Sequence, residues 1–111
     1  MSPDERLQRL LDELSRPISL DKLEHFSREF DALAQDRADT LWFFVLQSVC
    51  ERLANALSGD AVSAERFVDL TDGIADEMAA ILADLEQRVH DASKLERLVG
   101  RLFTNLGLYR A

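Results

Sequence analysis

Glycine and proline are scarce in this chain, with 4 and 2 among 111 residues. Turns and strand ends depend on these two residues, so the many turns of a sheet have no source and no sheet is expected. Cysteine occurs once, at Cys50, which leaves no internal disulfide and no multi-cysteine metal or redox motif. Histidine occurs twice, at His25 and His90, and neither has a glutamate three residues before it. The Glu-x-x-His pairs that hold two metals inside helical bundles are therefore missing. HExxH, CxxC, a phosphate-cradling glycine loop and a nucleophile elbow are missing as well. No catalytic residue, metal or cofactor is assigned, and an enzyme acting alone is not expected.

Basic charge is also in short supply. There are 13 Lys and Arg against 21 Asp and Glu, a net charge of −8. Phosphate binding runs on Lys and Arg, so no direct nucleic-acid partner is expected. The longest unbroken apolar run, Leu41 to Leu46, falls far short of the ~20 residues that span a bilayer. The opening Met1-Ser2-Pro3-Asp4-Glu5-Arg6 lacks the basic-then-apolar order of a secretory signal. A cytoplasmic protein without membrane association follows as the default expectation.

What the chain does have is apolar content of 47%, enough for a core, in a length that fits one domain over residues 1–111. Leu, Ala, Glu, Arg and Asp dominate and favour helix. The pattern predicts an all-α fold, a small bundle of four to five helices with long third and fourth members.

Ser2, Pro3 and Glu5 read as a capped helix start. Leu7, Leu10, Leu11 and Leu14 follow at helical spacing, and Pro17 is expected to stop the helix. Ser19 caps a second helix from Leu20 to about Gln35, with Leu23, Phe26, Phe30, Leu33 and Ala34 inward. Residues 36–40 are polar yet lack Gly and Pro, which predicts a kink rather than a loop before the third helix.

That third helix, from about Thr40 to Ser58, holds the one tryptophan, Trp42, and ends at Gly59, suited to the left-handed C′ position. A surface helix needs an apolar stripe of about 100°, and this one is apolar over roughly twice that arc, so it is read as central. Cys50 lies on the arc as a small buried hydrophobe. Phe44 falls within its narrow polar strip, where it is either covered by the second helix or exposed.

Ser63 caps a fourth helix, read as running from Ala64 to about Asp91, with Phe67, Leu70, Ile74, Met78, Ile81, Leu85 and Val89 on one face. Gly73 sits within it and marks a bend or a close contact. Such a helix is about 42 Å long at 1.5 Å per residue, longer than any other in the chain. Its excess must meet the last helix folding back, or a second subunit. Ser93-Lys94-Leu95-Glu96 is a capping-box string. It opens the last helix, with Leu95, Leu98, Val99, Leu102, Phe103 and Leu106 inward and Gly107 at its end. The expected core is Leu14, Phe30, Trp42, Val45, Leu46, Leu53, Phe67, Ile74, Ile81, Leu85 and Leu102.

Charge is unevenly spread. Residues 60–92 carry nine acidic and two basic side chains, and residues 93–111 carry one acidic and four basic. Glu65, Asp69, Asp72 and Asp76 recur at steps of four, three and four, on the face opposite the apolar one. Such a stripe repels itself by a few tenths of a kcal/mol per pair. It is read either as a solvated face or as a docking surface for a basic protein partner. The last helix carries Lys94, Arg97 and Arg101 on one face, complementary to that stripe within one chain or across a dimer.

The functional expectation is a non-catalytic protein-binding module, such as an adaptor, accessory factor or inhibitor or immunity-type protein, using the acidic face. A two-fold homodimer with Phe44 at its interface is expected too. The alternative is a small-ligand-binding or accessory subunit of a larger enzyme, with a pocket between helices near Trp42, Phe43 and Met78.

Overall fold

The computed structural model describes residues 2–16, 18–58, 63–71 and 73–110, with side chains as far as residue 106. Six helices are found among them: α1 (Pro3–Leu14), α2 (Leu20–Asp36), α3 (Thr40–Ser58), α4 (Ala64–Thr71), α5 (Ile74–Glu86) and α6 (Ala92–Arg110). The fold is the all-α bundle expected, with its fourth helix broken in two.

The helix starts behave as their sequences dictate. The Ser2 hydroxyl accepts from the Glu5 N–H at 3.2 Å, and the Ser19 hydroxyl from the Lys22 N–H at 3.3 Å. Each cap satisfies a donor that the helix leaves orphaned, a gain of roughly 1 kcal/mol. Asp4 and Glu5 in the first turn of α1 suit the positive end of the helix dipole. α1 ends at Leu14, and Pro17 lies outside the described residues, as does Gly59.

The link between α2 and α3 is not a kink but a tight reversal. Gln47 donates to the Ser27 hydroxyl at 3.2 Å, the Phe30 and Phe43 rings lie 6.5 Å apart, and the Thr40 hydroxyl donates to the Ala34 carbonyl at 3.0 Å. Pairs that converge on one residue describe an antiparallel helical hairpin. Arg37, at φ −120° and ψ 156°, is extended and breaks the helix without help from Gly or Pro.

Gly73 splits the expected fourth helix. Its φ is +78°, a left-handed conformation that glycine adopts without penalty, and it stands at the N-cap of α5. A Cβ there would also run into the Arg101 guanidinium of α6. α5 then ends at Glu86, five residues short of Asp91. The overlong helix therefore does not exist, and no second subunit is needed to cover it. The radius of gyration, 13.4 Å, is what a compact chain of this length gives, about 13 Å.

α6 is capped by Asp91 rather than by Ser93. The Asp91 carboxylate accepts from the Ser93 N–H at 3.0 Å and the Ser93 hydroxyl at 2.6 Å. The Ser93 hydroxyl bond is the main reason the Asp91 carboxyl sits below its usual range. Leu95, Leu98, Leu102 and Leu106 face inward, but Phe103 is 61% exposed. The helix runs through Gly107, which was expected to end it. One internal glycine costs about 1 kcal/mol, too little to force a stop.

The core runs the length of the bundle. Leu7, Leu10, Leu23, Phe26, Phe30, Phe43, Leu46, Ile74, Met78 and Leu98 are among its fully enclosed members. Eight of the eleven expected core residues are buried, while Trp42, Val45 and Phe67 are only half-buried. Among the described residues nothing covers the outer side of α3 at Leu41 and Phe44, which are 60% and 59% exposed.

Candidate functional site

Three regions of the surface are candidate sites. The first is the acidic face. Glu65 and Asp69 are exposed on α4 and Asp76 on the first turn of α5, while Asp72 lies outside the described residues. None of these three carboxylates has an ion pair or side-chain hydrogen bond among the described residues. Other acids of the same segment are neutralised by α6. Lys94 pairs with Asp84 at 2.6 Å and Arg101 with Glu77 at 3.6 Å. The basic face of α6 is thus largely spent within the chain, which removes the charge argument for a dimer. Next to Asp76 lies a surface groove of about 380 Å³ whose apolar lining comes from Leu14, Ile18, Val68 and Ala75.

The second region is the outer strip of α3, where Leu41 and Phe44 stand at i and i+3 on one face. The third was not legible as a site. It joins the start of α1, the α2–α3 turn and the end of α5. Arg37 is buried there, and its guanidinium is well satisfied. Nε and Nη2 donate to the two Asp39 oxygens at 2.9 and 2.7 Å, Nη2 to the Leu85 carbonyl at 3.2 Å, and Nη1 to Asp4 at 3.3 Å. The cation also lies 5.4 Å from the Phe43 ring centroid. The Asp39 side chain is also enclosed, at 5% exposed. Both of its oxygens accept from Arg37, a charge-assisted bidentate pair.

Asp39 Oδ2 also stands 3.2 Å from His90 Nε2, which must be the donor because an ionised carboxylate only accepts. The imidazole meets the Trp42 ring edge-on, with centroids 4.7 Å apart. The acids beside the two histidines come from other parts of the chain. They are Glu13, 3.3 Å from His25, and Asp39.

Beside this junction is a surface cleft of about 450 Å³ lined by Ala38, Asp39, Trp42, Arg88 and His90, with mostly apolar walls. It is not the pocket expected between Trp42, Phe43 and Met78. Phe43 and Met78 are wholly enclosed, and Met78 accepts a weak hydrogen bond from the Cys50 thiol at 3.7 Å.

One wall of the cleft has unusual backbone. The N–H groups of Val89 and Arg88 donate to the carbonyls of Asp84 and Leu85 at 2.8 and 3.1 Å, a Schellman ending for α5. The left-handed residue of that motif is usually glycine, yet here it is Arg88, with φ 60°. Holding a side chain in that conformation costs roughly 1 kcal/mol or more.

Among the described residues no group of three or more His, Cys, Asp or Glu side chains could hold a metal ion, and no helix is long and apolar enough to cross a membrane. No protein-family model, curated protein or solved structure matches the chain.

Proposed function

We propose that the chain is a non-catalytic protein-binding module that docks a basic partner on the outer face of α4 and the start of α5. The observation that carries this reading is the contrast in charge pairing. Glu77 and Asp84 are neutralised by α6, whereas Glu65, Asp69 and Asp76 are exposed and unpaired among the described residues. Self-repulsion between Glu65 and Asp69, at i and i+4 on α4, is lowered when a cationic surface arrives. The groove beside Asp76, with Val68 at its edge, offers an apolar anchor within the charged rim, the usual anatomy of a protein interface.

The test is charge reversal of Glu65, Asp69 and Asp76 to lysine, with circular dichroism to confirm an intact fold. Proteins captured by the wild type and lost by the variant are then examined for basic surfaces. Their capture should weaken as salt rises, because exposed charges are screened beyond about 8 Å at physiological ionic strength. A variant that captures the same proteins at low salt removes the docking role.

A second proposal concerns self-association. The exposed Leu41 and Phe44 make a small apolar patch on α3, and we infer that a second copy covers it in a two-fold dimer.

A further inference from the structure

We propose that the cleft beside Trp42 is a binding site for a small aromatic carboxylate, with the indole as its apolar wall and the Arg88 guanidinium as its anion anchor. This inference is independent of the acidic docking face.

Four observations carry it. The volume, about 450 Å³, falls within the range of small-molecule sites. The walls are mainly apolar and include the indole, which suits a flat apolar body. The floor is rigid, because Asp39 is fixed by Arg37 from one side and fixes His90 on the other. Finally, Arg88 occupies a left-handed position where glycine would serve the backbone better, so the side chain is kept at the fold's expense.

What that side chain offers is specific. Arg88 is 61% exposed, and Asp4 engages it through Nη2 alone, at 3.3 to 3.4 Å. Nε and Nη1 have no partner among the described residues, and a guanidinium presents such donors in a planar fork that matches a carboxylate. An amine ligand would meet the same cation and be repelled. The net charge of −8 opposes any anion, but only weakly here. Arg37 neutralises Asp39 at contact distance, and the distant carboxylates are screened beyond about 8 Å at physiological salt.

The experiment is a ¹H–¹⁵N NMR titration of the full chain with phenylacetate, following the indole N–H of the one tryptophan and the Arg88 Nε–H. Saturable shifts at both groups are expected, with phenylacetamide binding about tenfold more weakly. Arg88→Gly should lose about tenfold in affinity for phenylacetate while melting no lower than the wild type. Arg88→Gln should lose affinity to a similar extent. Absence of saturation, equal binding of acid and amide, or unchanged binding by either variant overturns the proposal. So does a lower melting temperature of Arg88→Gly, since the residue would then be serving the fold.

Discussion

Arg37 and Asp39 show how two residues close a hairpin that has neither glycine nor proline in its turn. The bidentate pair spans two residues, requires an extended chain between its members, and reaches Asp4 and the Leu85 carbonyl to tie three elements together. Removing one member of a buried pair leaves the other charge uncompensated, a loss of about 3–5 kcal/mol. Arg37 keeps two other acceptors, so Asp39→Ala should fall at the lower end, about 3 kcal/mol. Denaturant unfolding of Arg37→Ala, Asp39→Ala and the double variant checks this. The double loss should be clearly smaller than the two single losses combined; strict additivity would mean the pair contributes no coupling. Cys50 gives a pH-dependent counterpart. Burial pushes its thiol up from 9.0 to about 12. Below pH 9 it is protonated folded or unfolded and contributes nothing to pH dependence. Above that, the unfolded chain releases a proton that the folded chain holds, so stability falls as pH rises from about 9 towards 12. Cys50→Ala should flatten that part of the stability profile. At neutral pH the native thiol should react with iodoacetamide far more slowly than the unfolded one.

At the scale of elements, the two glycines of known surroundings should respond oppositely to alanine. Gly73→Ala meets a left-handed backbone, while the flexible Arg101 guanidinium can swing aside, and should cost about 1–3 kcal/mol. Gly100 lies within α6 with open space where a Cβ would go, so Gly100→Ala should stabilise by up to about 1 kcal/mol. Thermal unfolding separates the two, and a harmless Gly73→Ala would mean that the α4–α5 break does not depend on glycine. The same positions show what sequence makes legible. Ser2 and Ser19 announce their helices because a cap acts within three residues. The leucine spacing of α1 marks its buried stripe for the same local reason. Gly73 reads in the sequence as a bend or a close contact, but the apolar periodicity runs unchanged through it, so nothing local announces that the helix breaks there. Phe103 stands at helical spacing from Val99 and Leu106 and so reads as inward, yet α6 buries only the narrower stripe Leu95, Leu98, Leu102 and Leu106. The cleft at Trp42 had no local signal. Its members come from residues 38–42 and 88–90, and the left-handed Arg88 looks like any other helix-terminal arginine in the sequence. Of the acidic stripe, Glu65 and Asp69 keep their helical spacing on α4, while Asp76 belongs to α5, so the spacing reports a shared face only for the first pair.

At the scale of the whole molecule, the question is whether one copy is enough. The bundle covers its own core, its long-helix mismatch is resolved at Gly73, and the basic side chains Lys94 and Arg101 find partners within the chain. What remains for a second copy is the strip of α3 bearing Leu41 and Phe44. A stable dimer buries about 1,200–2,000 Å² in total, more than two side chains on each copy supply. The proposed dimer should therefore be weak and in rapid exchange, with an apparent mass that climbs from 12.6 kDa as concentration rises. Light scattering over a dilution series reads this directly, and a mass of 12.6 kDa throughout rejects self-association. Phe44→Glu places a charge at the centre of the patch and should hold the chain monomeric at every concentration. The substitution lies on an exposed helix surface, so it should move stability by less than about 0.5 kcal/mol, and any loss of dimer then reports on the interface rather than on folding. A dimer that persists unchanged in Phe44→Glu would keep the assembly but discard the α3 strip as its contact. The contact would then have to be sought on the outer face of α6, where Phe103 is the other exposed aromatic side chain among the described residues.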